Sequence, residues 1–443
     1  MKDYSRGRRF LGLQLLPTVG AGNLATFYLA CVGGIMLATF MPQMQPYLLS
    51  EFLNIPQAQQ GVVSGNIAFW GEIAIILAVG VWGSLSDKIG RKPVMAVGFG
   101  LMAISIVLYP QATSYHELLV YRVLFGLGVA AFSCMTFTIL ADYIADESRG
   151  KATGILGVCN GIGAMITVFF LLRLPSMFQA QGLDSQAAGQ RAYLIVAAIA
   201  VVIAIVMWLG LKPRTKTDSQ HQEPSIRELT VMGFRAAKDP GIALAYGAAF
   251  VSRGNLAIVG TFFTLWLANY GTSVMGLERG EALAKAGIIV GIAQGVTLLG
   301  APMFGILCDK INRVHALAVA LLVSFAGYGG TYFIDDPFSS GMIVCAILIG
   351  LGEVGGIITS GVLLSQQAPP AIRGAVNGCF NLCGAIGILV AAKFGGYLFD
   401  HWRESGPFVF FGLVALAIFF WALAAKPKVH APDPAADAVT GAA

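Results

Sequence analysis

Gly83-Ser84-Leu85-Ser86-Asp87-Lys88-Ile89-Gly90-Arg91-Lys92 returns 222 residues later as Gly305-Ile306-Leu307-Cys308-Asp309-Lys310-Ile311-Asn312-Arg313. Each copy closes a long apolar run. Further echoes share the offset closely. Gly126-Leu127-Gly128 matches Gly350-Leu351-Gly352, and Arg149-Gly150, Gly154, Cys159 and Gly163 match Arg373-Gly374, Gly378, Cys383 and Gly387, all displaced by 224. A duplication in one orientation predicts two similar bundles with a binding site between them near mid-membrane.

The rest of the chain says what those bundles are made of. Hydrophobic residues are 56% of the 443 positions and charged residues 12%, against about 25% charged in soluble domains. No single core absorbs that much apolar surface, so most of it faces lipid. Twelve runs are long enough to span a bilayer: 22–48, 60–82, 93–111, 116–142, 151–174, 191–211, 241–269, 284–307, 314–334, 340–365, 373–398 and 406–425. The predicted fold is all-α, with twelve membrane helices in two halves of six. The N-terminal bundle covers 22–211 and the C-terminal bundle 241–425.

Basic residues set the orientation. Twenty of the 28 Lys and Arg fall in the tails and in the loops after spans 2, 4, 6, 8 and 10. Five lie on the other side: Arg173, Arg191, Arg279, Lys285 and Arg403. Both termini are therefore expected in the cytoplasm. Residues 1–21 read as a cytoplasmic tail rather than a cleaved signal, because the apolar stretch is short and contains Gln14. The linker 212–240 carries a capping box at Ser225 and Glu228 and then an amphipathic pattern to Lys238, suited to a helix on the inner membrane surface or to an unstructured link. The tail 426–443 reads as disordered. The seven cysteines lie in or at the ends of apolar runs, and the five histidines lie in loops, at the starts of spans or in the tail. Neither a disulfide framework nor a metal site is expected.

The first loop resembles the signature of the major facilitator superfamily, Gly-x-Leu-x-Asp-(Arg/Lys)-x-Gly-Arg-(Arg/Lys), through Gly83, Leu85, Asp87, Lys88, Gly90, Arg91 and Lys92. The resemblance covers essentially the whole chain. It implies that family's fold, alternating access, and a cavity lined mainly by spans 1, 4, 7 and 10. Gly83 and Gly90 would allow a tight turn. Arg91 and Lys92 can reach Asp142 at the inner end of span 4. The resemblance gives Asp87, Arg91 and Asp142 the role of a cytoplasmic latch, with Asp309 and Arg313 as its degenerate second copy. The alternative is that these charges only enforce topology. Arg122-x-x-x-Gly126-x-Gly128 is similar to a motif of proton-coupled members, but Phe125 stands where Gln is usual. The Gly-Pro pair typical of drug antiporters is missing from span 5.

Ionisable groups inside a span cost several kcal/mol unless paired or hydrated, and so mark function. Arg253 and Glu353 lie about 18 Å into spans 7 and 10 by helical rise. Arg253, with Asn255 beside it in a polar break at 252–255, is a candidate for the anionic group of a substrate. Glu353 is the candidate proton carrier. A structural Arg253–Glu353 salt bridge is the competing reading. Glu72, about 16 Å deep in span 2, is the second proton candidate, with Gln294 as its repeat equivalent. Arg122 is a substrate candidate or snorkels to the outer surface, as Lys393 does.

These residues predict a proton-coupled secondary transporter of a small organic solute, anionic in character. The alternatives are a multidrug efflux antiporter and a non-transporting sensor. No nucleotide-binding loop is present, and no span carries a histidine away from its ends for a nucleophile pair. The chain reads as no enzyme, with no catalytic residues and no cofactor beyond an ion gradient. The expected partners are the bilayer and a small-molecule substrate, not nucleic acid. A monomer in the bacterial inner membrane is expected.

Overall fold

In the computed structural model, residues 9–10, 12–16, 19–212, 226–369, 372–426 and 429 are described. Among them, twelve helices are long and apolar enough to cross a membrane. They are Ala21–Glu51 (span 1), Gln57–Ile89 (2), Arg91–Gln111 (3), Tyr115–Tyr143 (4), Arg149–Gln179 (5), Ser185–Gly210 (6), Pro240–Ser273 (7), Arg279–Lys310 (8), Arg313–Phe333 (9), Ser340–Gln367 (10), Arg373–His401 (11) and Gly406–Ala425 (12). Even the shortest, at 20 residues, is about 30 Å long and matches the hydrocarbon core. Leu77, Leu209 and Leu299 are exposed along these helices. Side chains of that kind belong against lipid. Polar caps start several spans, with Ser114, Asp184, Asp239, Asn312 and Ser339 each accepting from a backbone N–H of the first turn.

The chain forms two compact units, residues 1–218 with 260–294, and 219–259 with 295–443. In the first unit, span 1 packs on spans 5 and 6, and span 4 packs on spans 2 and 3. In the second unit, the Pro240–Ile258 part of span 7 packs on spans 10 and 11, and span 9 packs on spans 10 and 12. The repeat is thus visible as packing. Gly163 of span 5 abuts the backbone of span 1 at Val32 and Met36, and its partner Gly387 of span 11 abuts the backbone of span 7 at Phe250. Two helix backbones approach this closely only where no Cβ stands between them.

Three departures from the sequence reading matter. The expected break at 252–255 is not there, because the α-helix of span 7 runs unbroken from Pro240 to Ile258. It loosens instead at Val259–Phe263, a single π-helical stretch, before Thr264–Ser273 resumes. Span 8 begins at Arg279 rather than 284. Helix continues past the apolar run that marks it, so Arg279 belongs to a helix and not to a loop. Gly83 lies inside the helix Gln57–Ile89 and forms no turn. Gly90 alone makes the turn, with φ of 98°, a backbone that only glycine adopts without strain.

The linker contains a helix at Ile226–Ala236. Its Gly233 lies against Ala375 of span 11, and Tyr246 Oη donates to the Gly233 carbonyl at 2.9 Å. Ser225 of the expected capping box and the tail beyond Val429 lie outside the described residues. Ahead of span 1, strands Arg9–Phe10 and Leu13–Gln14 pair antiparallel. Leu16 N–H donates to the Tyr143 carbonyl at 3.0 Å, and Ala145 N–H donates to the Gln14 carbonyl at 3.0 Å. This segment is fastened to the loop after span 4.

Candidate functional site

The loop between spans 2 and 3 is organised by Arg91. Its Nη1 donates to Asp87 Oδ1 at 2.7 Å and to the Ser86 carbonyl at 2.9 Å, and its Nε donates to Asp142 Oδ2 at 3.2 Å. Gly90 makes this possible by turning the chain so that Arg91 opens span 3 directly over the end of span 2. One guanidinium therefore ties spans 2, 3 and 4. Lys92 does not join it. Its ammonium stands 5.1 Å from the Trp208 ring centroid on span 6, in cation–π range. The helix phase explains this, since successive side chains point about 100° apart. Gly83 faces Cys134 with room for a Cβ at an ordinary 3.7 Å.

The second copy is built differently. Asn312 stands where Gly90 stood, and it caps span 9 by accepting from Val314 N–H at 2.9 Å. Asp309 and Arg313 form no salt bridge among the described residues, and Arg313 Nε is buried without a hydrogen-bond partner. Arg313 instead borders a cleft of about 490 Å³ walled by span 10 from Ile357 to Gln366.

On span 4, Arg122 lies over the Phe125 ring at 5.5 Å, and its Nε and Nη1 are buried without hydrogen-bond partners. Its stem crosses Gly71 of span 2, where a Cβ would come within 2.8 Å of Nε. The residue that departs from the motif, Phe125, is thus the one supporting the cation. Glu72 is half-buried on the same span as Gly71.

In the second unit, Arg253 is half-buried, and its Cγ would lie 2.7 Å from a Cβ on Gly384 of span 11. Two residues on, Asn255 points elsewhere. It is buried and donates to Ser324 Oγ of span 9 at 2.8 Å, which makes it an interhelical tie inside the bundle. Glu353 is 5% exposed on span 10 and makes no hydrogen bond or salt bridge among the described residues. It lies within electrostatic reach of Tyr328 on span 9, whose buried hydroxyl has no hydrogen-bond partner. Arg253 therefore faces span 11 while Glu353 faces span 9, and the structure does not pair them.

A further cluster escaped the sequence reading. Arg279, 4% exposed, donates from Nη1 to Asn269 Oδ1 at 2.9 Å, from Nη2 to Gln60 Oε1 at 3.1 Å, and from Nε to Ser50 Oγ at 3.0 Å. Nη2 also reaches Ser50 Oγ. Thr264 Oγ1 donates to Gln43 Oε1, and Gln57 Nε2 donates to Thr272 Oγ1 at 3.0 Å. As a lone cation beside an expected loop, Arg279 had looked like a topology charge. The available signal was the crowd of neutral hydrogen-bonding residues at the facing ends of spans 1, 2 and 7.

The sequence profile of the Major Facilitator Superfamily matches residues 26–392, and again 284–442. The chain belongs to the Major Facilitator Superfamily. It is a multi-pass membrane transporter, of the kind that takes a small-molecule substrate within the bilayer. The transporter is 28% identical over 404 residues to the magnetosome protein MamH of Paramagnetospirillum magneticum, covering 89% of this chain and 90% of that one. It is 25% identical over 384 residues to the probable nitrate transporter NarT of Staphylococcus haemolyticus, covering 84% and 88%. Its fold superposes on the crystal structure of a mutant of the nucleoside transporter NupG, with a TM-score of 0.74 at 14% identity, over 91% of this chain and 99% of that one.

Proposed function

We propose that the transporter moves a small anionic solute by alternating access, coupled to protons. The observation that carries this reading is Glu353, a carboxyl buried in span 10 with no hydrogen bond or salt bridge among the described residues. A group in that setting suits a proton relay, and an arginine at mid-span such as Arg253 suits a substrate path. Arg122 is a second cation on span 4, and its motif is similar to that of proton-coupled members. Similarity to a probable nitrate transporter supports an anion. Glu72 is the reserve proton carrier, and an ion gradient is the proposed driving force. Asn255, tied to Ser324, shapes the span 7 wall rather than meeting the substrate.

The test is uptake into proteoliposomes of the full chain, loaded with a pH-sensitive dye and offered nitrate and small carboxylates. Anion flux should move protons. Glu353→Gln should uncouple or abolish that movement, and Arg253→Ala should lower anion uptake by about tenfold or more, as expected for losing a charge-assisted contact. If lipophilic cations are carried and Arg253→Ala is neutral, the protein is a drug antiporter. Ligand binding without flux would make it a sensor.

The proposed location is the cytoplasmic membrane, as a monomer with both termini inside and no nucleic-acid partner. Similarity to MamH makes the location worth direct measurement. A fluorescent fusion should trace the cell perimeter evenly, and internal puncta would reassign the transporter to an internal membrane.

A further inference from the structure

We propose that the cleft beside Arg313 binds a phosphate group, which takes the place of a carboxylate that the second copy of the loop has lost. The repeat locates the loss. In the first copy, Arg91 Nε donates to Asp142 Oδ2 at 3.2 Å. Arg313 stands 222 residues after Arg91. Its Nε is buried and has no hydrogen-bond partner among the described residues. The position 224 residues after Asp142 is Gln366, at the displacement that the glycines of spans 4 and 10 share. Glutamine is neutral, so the acid that holds this nitrogen in the first loop has no counterpart in the second. Arg313 and Gln366 nevertheless still border one space, a cleft of about 490 Å³. That lies within the size range of small-ligand sites. Asp309, the remaining acid of the loop, is exposed and forms no salt bridge with Arg313 among the described residues.

The chemistry of the cleft selects the anion. A guanidinium with a buried, unpartnered nitrogen is costly where the dielectric is low. Water can satisfy the N–H but leaves the charge unpaired. A phosphate group does both, because its oxygens match the guanidinium fork. Gln366 brings an amide donor for a further oxygen. Span 9 begins at Arg313, so the dipole of that helix also favours negative charge there. The rest of the wall includes Ile357, Ile358 and Val362. Ile357 lies about 14 Å along the helix from Gln366 by helical rise. A polar end with an apolar length beside it suits a phospholipid, with its phosphate at Arg313 and a chain along the isoleucines. Basic pockets between membrane helices take lipid headgroups in this way. Inorganic phosphate presents the same anion without the chain. In the first copy the acid is built into the protein, and that loop needs no such ligand. The inference is independent of which solute or ion is carried.

The experiment reads binding, not transport. The purified full chain in neutral detergent is titrated calorimetrically with dioctanoyl phosphatidylglycerol, with inorganic phosphate, and with dioctanoylglycerol, which has the chains but no phosphate. Phosphatidylglycerol should bind and dioctanoylglycerol should not. Inorganic phosphate binding about tenfold or more weaker assigns the site to a lipid, and equal binding assigns it to soluble phosphate. Arg313→Gln should weaken binding by about tenfold, the shift expected for losing charge-assisted hydrogen bonds. Gln366→Asp restores the acid of the first loop and should weaken binding as much, because the new carboxylate takes Arg313 for itself. It keeps the arginine, and so carries the test if Arg313→Gln fails to assemble. Lys310→Gln removes an exposed charge nearby and should weaken binding by about twofold or less, as for a screened surface charge. Unchanged binding in a folded Arg313→Gln or Gln366→Asp protein overturns the proposal. So does an equal loss in Lys310→Gln, equal binding of dioctanoylglycerol, or failure of both phosphate compounds to bind.

Discussion

At the scale of single residues, what a side chain is depends on what stands opposite it. Arg253 is the clearest instance. Its stem occupies space that exists only because position 384 is glycine. Gly384→Ala would push Cγ from 2.7 Å to a normal contact and re-aim the guanidinium. The expected result is a KM for the anion raised by about tenfold, with the protein still folded. Gly378→Ala on the same helix, where a Cβ would meet nothing within 4 Å, should be silent. Equal kinetics in the two variants would remove Arg253 from the substrate path. Arg91 gives a second case. Its acids Asp87 and Asp142 have side chains 65% and 51% exposed, so removing either should lower stability by less than about 1 kcal/mol. If Asp87→Asn nevertheless slows transport severalfold, the pair acts in gating. Intact rates would leave it a topology signal. The sequence made Arg91 legible because a short motif fixes it, and Asp142 because it is the acid at the end of span 4 within its reach. It did not reveal Arg279, whose meaning comes from Ser50, Gln60 and Asn269 arriving from three other helices.

At the scale of helices, periodicity and length made the spans readable, while their ends and faults were not. An apolar run shows where lipid is, but helix extends beyond it into polar sequence. That is why Arg279 was expected before a helix and stands within one. The π-helical turn at Val259–Phe263 has no local signature in Val-Gly-Thr-Phe-Phe. The polar quartet 252–255 reads as the weak point, yet its Ser252 donates to the Ala248 carbonyl and its Asn255 donates to Ser324 Oγ within an unbroken helix. Contacts between helices follow the repeat. Gly387 lies against the Phe250 carbonyl, so Gly387→Val must force spans 7 and 11 apart. It should destabilise the protein by about 1–3 kcal/mol, the usual range for overpacking. Thermal unfolding of the purified protein, read by a thiol-reactive dye on its buried native cysteines, measures this. Gly163→Val should behave alike at spans 1 and 5. A large effect at one site and none at the other would show that the two packings are not equivalent.

At the scale of the whole molecule, the duplication predicts one orientation for the two halves but has not kept them chemically equal. The loop after span 2 closes on a three-helix ion cluster. The second replaces the tight-turn glycine with the cap Asn312 and leaves Asp309 and Arg313 unjoined. A loop freed of its ion cluster can diverge in sequence while the helices around it keep their packing. This is why the repeat is sharper in glycines than in charges. The orientation itself is exposed to one direct measurement. Lys88 and Lys310 are both exposed and occupy matching places after spans 2 and 8. In Lys88→Cys and Lys310→Cys proteins, an impermeant maleimide should label neither thiol from outside intact cells and both in inverted membrane vesicles. Labelling of one from outside and the other from within would break the parallel arrangement of the halves. The shared packing of Gly163 and Gly387 would then need another origin, and the outer position assigned to Arg279 would fall with it.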